Sequence, residues 1–161
     1  KAGTVPEESI QAAVESMATL NKGAADAMIE VGVNAATDVT GFGLLGHLSQ
    51  MMKASGTSAA MNWSQIPLLP GVLELAKAGS VSAGTARNME ALEGAVNLED
   101  GISDIQFTIL ADAQTSGGML ISVPEERADD LVQSLIINQT LYSTIVGKVF
   151  EGNPGIITVW Q

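Results

Sequence analysis

One carboxylate, Asp38, stands in the stretch Thr37-Asp38-Val39-Thr40-Gly41-Phe42-Gly43-Leu44-Leu45-Gly46-His47-Leu48, between a strand pattern and a glycine-broken turn that opens a helix. Upstream, Val31, Val33, Ala35 and Ala36 suit a short buried strand. Downstream, Leu44, Leu45, Leu48, Met51 and Met52 repeat at the spacing of an apolar helical stripe. Gly41 and Gly43 can take positive φ and let a ligand approach the backbone, while the first amides of the helix face outward with the positive end of its dipole. Such a corner attracts anions, and a carboxylate beside it suits the Mg²⁺ that accompanies a nucleotide. Asp38 equally fits the N-cap of the helix, and the residues alone leave both roles open.

A second run, Asp112-Ala113-Gln114-Thr115-Ser116-Gly117-Gly118-Met119-Leu120, supplies amide, hydroxyl and backbone donors in a glycine-rich segment. Gln114, Thr115, Ser116, Gly117 and Gly118 are candidates for contact with an oxyanion near the Asp38 turn. They also fit a tight bend before a strand, with Thr and Asp side chains capping it. His47 invites a general-base role, since imidazole titrates near neutrality. Its position argues otherwise: at about 100° from Leu48 it falls on the margin of the apolar stripe, where a core-edge histidine bonded to a neighbour is expected. Phe42 reads as packing and the methionines as core filler.

The elements that must position these residues follow from periodicity and punctuation. Val5-Pro6-Glu7-Glu8-Ser9 starts a helix, with proline and acids favoured in its first turn, and Ile10, Ala13, Val14, Met17 and Leu20 form a stripe expected to be buried. A second helix over residues 24–30 leads through Gly32 into the strand that carries Asp38. Beyond the helix of residues 42–54, residues 57–63 read as a strand. Residues 64–105 are the least regular, with short helices expected at 72–77 and 87–92, separated by Gly79, Gly84 and Gly94. Pro67 and Pro70 bound a loop. Residues 119–123 form a compact apolar strand, and Pro124-Glu125-Glu126-Arg127 starts a helix whose apolar face is Ala128, Leu131, Val132 and Leu135. Residues 142–150 and 156–160 read as two strands closing in a hairpin around Glu151-Gly152-Asn153-Pro154-Gly155. With no strict βαβ repeat, the expected class is α+β, helices packed on a mixed β-sheet.

Composition narrows the function. With 161 residues and 46% hydrophobic side chains, the chain can bury one core, and residues 1–161 are expected to form a single domain. Its start at Lys1-Ala2-Gly3-Thr4, without methionine, is compatible with a piece of something longer. Seven basic against 18 acidic residues, a net charge of −11, oppose nucleic-acid and anionic-membrane partners. They do not oppose a nucleotide held through a metal, which reverses the local charge. The absence of cysteine removes disulfides and thiolate metal sites, and a single histidine argues against structural zinc. No membrane span or signal pattern is legible, so a cytoplasmic location is expected.

The two motifs, in this order, closely resemble selenophosphate synthetase (selenide, water dikinase), from about Pro6 to the end and over only the C-terminal half of that family. The resemblance implies the fold of the aminoimidazole ribonucleotide synthetase superfamily. Its members pair an N-terminal ATP-binding, dimerising domain with a C-terminal α+β domain, so a missing N-terminal domain and a homodimeric parent are expected. It implies an enzyme that makes selenophosphate from selenide, ATP and water, releasing AMP and phosphate. Asp38 matches the aspartate that the C-terminal domain contributes to Mg²⁺. Thr37, Thr40, Gly41 and Gly43 are candidates for positions near the nucleotide phosphates, and residues 114–118 for contact with an oxyanion or selenide-derived species. The family's reactive cysteine or selenocysteine and its lysine lie near the N-terminus of the full enzyme, so no catalytic residue is expected in this chain and the fragment alone should be inactive. Alternatives are a sister enzyme such as a thiamine-phosphate kinase or hydrogenase-maturation protein, disfavoured by the Phe42–His47 and Gln114–Gly118 words, or a non-enzymatic acidic module binding an anion at the glycine turn.

Overall fold

The computed structural model describes residues 5–161. The chain begins with α1 (Glu7–Ala18) and α2 (Lys22–Val31), then β1 (Ala35–Asp38), α3 (Gly43–Ser55) and β2 (Ser58–Asn62). It continues through α4 (Val72–Lys77), α5 (Ala83–Ala91), β3 (Val96–Leu98) and α6 (Asp104–Leu110). The last elements are β4 (Met119–Ser122), α7 (Ala128–Ile137), β5 (Gly147–Phe150) and β6 (Ile157–Trp160).

Helix boundaries have local causes. α2 ends at Gly32, whose φ of 78° suits glycine, and the Arg127 guanidinium donates to the Val31 carbonyl at 2.7 Å, satisfying a terminal acceptor. α3 ends at Gly56 in the left-handed region. α6 opens with a reciprocal capping box: Ser103 Oγ accepts from the Gln106 amide, and Gln106 Oε1 accepts from the Ser103 amide at 2.7 Å.

The strands form two sheets. β1 and β4 make an antiparallel two-stranded ribbon in which Asp38 lies opposite Met119 and Ala35 opposite Ser122. The other sheet has the order β3-β6-β2-β5, with β2 antiparallel to β5 and parallel to β6, and β3 parallel to β6. One core joins the inner face of this sheet (Ala59, Met61, Ile157, Val159) to α3 (Leu45, Leu48, Met52) and reaches Val39 and Leu120. The other packs α2 (Ala24, Ala27) on α7 (Leu131, Leu135), with Met119 and Ile121 against it. Successive β4 residues thus face opposite cores, as the period of two in a strand requires. The ribbon lies between them.

The expected class, α+β with helices on mixed β structure, holds, but four expectations do not. The closing hairpin is absent: β2 lies between β5 and β6, and the turn before β6 crosses it, with Ser58 Oγ donating to Asn153 O at 2.7 Å and the Gly155 amide to Thr57 O at 2.9 Å. Apolar alternation marks strands without naming their neighbours. The α1 stripe is not buried: Ile10, Val14, Met17 and Leu20 are exposed, and Ser9 is the buried residue of that helix. β1 is likewise only half covered, with Ala36 and Asp38 facing out. Gly84 lies inside α5 rather than ending a helix.

Because Ile157 is fully buried in a central strand and Val149 is 42% exposed on an edge, the two differ in energetic weight. Ile157→Ala should lower unfolding free energy by about 2–5 kcal/mol in urea titrations. Val149→Ala should cost less than about 1 kcal/mol. Equal losses would contradict the central and edge assignments.

Candidate functional site

The two motifs meet through their backbones. Beyond the end of β1, the Val39 amide donates to Gly118 O at 2.9 Å, the Gly117 amide to Val39 O at 2.9 Å, and the Gln114 amide to Thr40 O at 3.1 Å. Gly117 is required by this approach, since a Cβ there would sit 2.5 Å from Val39 O. The Thr40 carbonyl also accepts from the Gly43 amide at 3.0 Å, closing the turn into α3. Thr37, Asp38, Thr40, Gly41 and Gly43 are thus brought beside residues 114–118. Gln114, Thr115 and Gly118 are exposed, while Ser116 and Gly117 are half-buried.

Asp38 is exposed at the end of its strand. Among the described residues no side-chain hydrogen bond holds its carboxylate, and the one ion pair is Lys22–Asp26. It does not cap α3. Phe42 occupies the N-cap position with no side-chain cap bond, because Val39 to Phe42 separate the carboxylate from the first helical turn. A free carboxylate is a competent oxygen ligand for a hard cation, but one is too few for Mg²⁺. Among the described residues no group of three or more His, Cys, Asp or Glu comes together as a metal site. The chain therefore fits one ligand of such a site and not the whole of it.

The two glycines have different roles from those expected. Gly41 is exposed, does not take positive φ, and has nothing within 4 Å of a Cβ. Gly43 does take positive φ, at 70°, but is buried: a Cβ there would lie 2.7 Å from Ala111 O and 2.8 Å from Asp112 O. The end of α6 fills the space beside Gly43, so the open approach is at Gly41.

His47 is buried at the core edge, as its place on the helix predicted. Its Nε2 accepts from the Thr40 amide at 3.1 Å and lies 3.2 Å from Thr40 Oγ1. Accepting an amide N–H leaves Nε2 without a proton and places the ring proton on Nδ1. The ring also packs at 5.4 Å from Phe42, tilted by 55°. His47 thus serves as a bracket for the turn.

Sequence reasoning passed over the residues behind the corner. Asn88 Nδ2, on α5, donates at 2.9 Å to both Gly41 O and Ala111 O. Fully buried Thr85 donates through Oγ1 to Asp112 Oδ1 and lies 2.9 Å from Ser82 Oγ. No local pattern marks an asparagine in a short helix, whereas the Ser103-x-x-Gln106 box that starts α6 was available as a signal.

A two-stranded ribbon between two cores and a four-stranded mixed sheet, with an acidic glycine corner at the end of the ribbon, define an α+β domain. Residues 3–159 match the family described as AIR synthase related protein, C-terminal domain, and the chain belongs to it. It is 46% identical over 149 residues to a selenide, water dikinase of Caldanaerobacter subterraneus subsp. tengcongensis, covering 91% of this chain and 42% of that protein. A selenide, water dikinase of Clostridioides difficile is 39% identical over 159 residues, covering 99% of this chain and 46% of that protein. The chain therefore spans less than half the length of these relatives. Among solved structures, the crystal structure of a HypE–HypF complex superposes with a TM-score of 0.57 at 16% identity, covering 89% of this chain and 39% of that one, a likeness of fold.

Gly43→Ala should destabilise the domain by about 1–3 kcal/mol in thermal or urea unfolding, from positive φ alone, with the clash at Ala111 adding to it. Gly41→Ala should change stability by no more than about 0.5 kcal/mol. Nitrogen NMR of His47 should show Nε2 as unprotonated and Nδ1 as protonated; a protonated Nε2 would contradict the Thr40 bond.

Proposed function

We propose that this chain is the C-terminal domain of a selenide, water dikinase, which makes selenophosphate from selenide, ATP and water and releases AMP and phosphate. The similarity to selenide, water dikinases over more than nine-tenths of the chain supports that reaction. The observation that carries the role of this domain is the Asp38 carboxylate, exposed and, among the described residues, unpaired, near the open Gly41 position. Nothing in the comparisons favours the reading as a free-standing anion-binding module.

In this reading Asp38 supplies one oxygen to Mg²⁺, and the remaining ligands come from the nucleotide phosphates, water and the N-terminal domain. The metal, when bound, offsets charge on the transferred phosphoryl group. This chain's residues hold the geometry: the Val39–Gly118 and Thr40–Gln114 bonds fix the height of Asp38, and His47 holds the turn. Thr37 and Thr40 lie near the nucleotide. Gln114, Thr115 and Ser116 offer donors to a phosphate or selenide-derived oxyanion.

Residues 1–161 form one domain whose principal partner is the N-terminal domain of the same chain, in a homodimeric, cytoplasmic parent. The exposed α1 stripe, Ile10, Val14, Met17 and Leu20, offers that partner an apolar surface. No helix of the described residues is long and apolar enough to cross a membrane.

Asp38→Asn in the full parent should raise the Mg²⁺ needed for half-maximal turnover and lower turnover at least tenfold, a loss of about 1.4 kcal/mol in transition-state stabilisation. Unfolding free energy should shift by less than about 0.5 kcal/mol, because the carboxylate caps nothing. Unchanged turnover and Mg²⁺ dependence would remove Asp38 from the site. The 161-residue chain by itself should release no AMP above background from ATP, Mg²⁺ and selenide, and appreciable release would overturn the assignment of the reaction to two domains.

A further inference from the structure

Asn88 is the only side chain among the described residues that donates to both segments flanking the corner, Gly41 O and Ala111 O, each at 2.9 Å. One primary amide has two N–H groups, and here both are used on two main-chain carbonyls. The opposite orientation of the amide would place its oxygen against both acceptors, so the network selects this one. Gly41 is the open position of the corner and Ala111 ends α6 immediately before the Asp112–Gly118 run. α5 also approaches that run elsewhere: a Cβ on Gly84 would lie 3.1 Å from the Ala113 Cβ, and Thr85 bonds Asp112.

We propose that Asn88 is a positioning residue for the metal and phosphate corner, setting the orientation of the Gly41–Phe42 peptide and holding it in register with the second motif. The peptide is trans, so its C=O and N–H point in opposite directions. With the Gly41 carbonyl drawn toward α5, the Phe42 N–H faces away from α5, and no backbone acceptor among the described residues takes it. The Thr40–Gly43 bond closes the same turn, and Asn88 adds to it the one side-chain bond on the Gly41 carbonyl among the described residues. Losing it removes one restraint on that peptide and loosens the link between the Gly41 turn and residues 111–118. The catalytic consequence rests on the function proposed above, whereas the positioning itself does not.

The test is Asn88→Ala in the full-length parent, read by hydrogen–deuterium exchange and by Mg²⁺-dependent turnover. Exchange should rise about tenfold in peptides covering residues 39–46 and 111–118, with peptides covering 58–62 and 157–160 unchanged. The Mg²⁺ required for half-maximal turnover should rise severalfold. Unchanged exchange, or a uniform rise across all peptides, would overturn the inference by leaving Asn88 an ordinary stabilising residue. Selective loosening with unaltered Mg²⁺ dependence would leave Asn88 as the positioner of the corner and instead remove the corner from the metal site. If Asn88→Ala does not yield folded protein, Asn88→Ser, which keeps one short donor, should give the same selective pattern at smaller amplitude, and a uniform pattern there would equally overturn the inference.

Discussion

The backbone splice between residues 35–43 and 114–122 is the constraint on which the rest of the domain depends. Four paired ribbon positions continue into the Val39–Gly118, Gly117–Val39 and Gln114–Thr40 bonds, so the two motifs are one piece of structure. Each such bond contributes only about 1 kcal/mol net, but opening the splice would strand several partly buried amides and carbonyls together. Both cores also lean on it, one through Val39 and Leu120 and the other through Met119 and Ile121. An exposed carboxylate at its end is therefore carried on a well-anchored backbone, although among the described residues no hydrogen bond or ion pair holds its oxygens.

Much of this was legible because it repeats. The apolar spacing of residues 44–52 places α3, the run after Gly118 is β4, and Leu131 and Leu135 face a core as expected. The exposed stripe of α1 shows the limit: amphipathicity states that a face seeks cover, not that the cover lies in the same chain. The pairing of β5 with β6 fails for a related reason, since alternation determines which side chains point inward and leaves the lateral neighbour open. β3 has three residues and α6 seven, too few for periodicity to speak. At the candidate site, the Asp38 turn and the Gln114–Gly118 run, which the fold brings together, were marked in the sequence by residue type and spacing. Asn88 was not, because its significance lies in two carbonyls far away in sequence.

The glycines teach a similar lesson about type and place. Read from sequence, Gly41 and Gly43 are equivalent openings; in the fold, Gly43 admits the end of α6, and none of the described residues fills the space a Cβ on Gly41 would take. The carbonyls of Ala111 and Asp112 lie against the buried glycine, leaving the exposed one, with the Phe42 amide beyond it, on the outer side.

The placement of β2 between β5 and β6 bears on how the polypeptide is made. Ala59 pairs with Ile157 and Ala60 with Lys148, so the central strand acquires both neighbours only from residues far along the chain. Until they emerge from the ribosome, the inner face of β2 and the apolar side of α3 have no sheet to close over them. Closing so long a loop is slow, and an uncovered strand edge invites pairing with other chains in the interval. The α2–α7 layer and the ribbon can assemble earlier, since α7 ends at Ile137. Biosynthesis thus passes through a half-built state whose vulnerability is confined to one sheet.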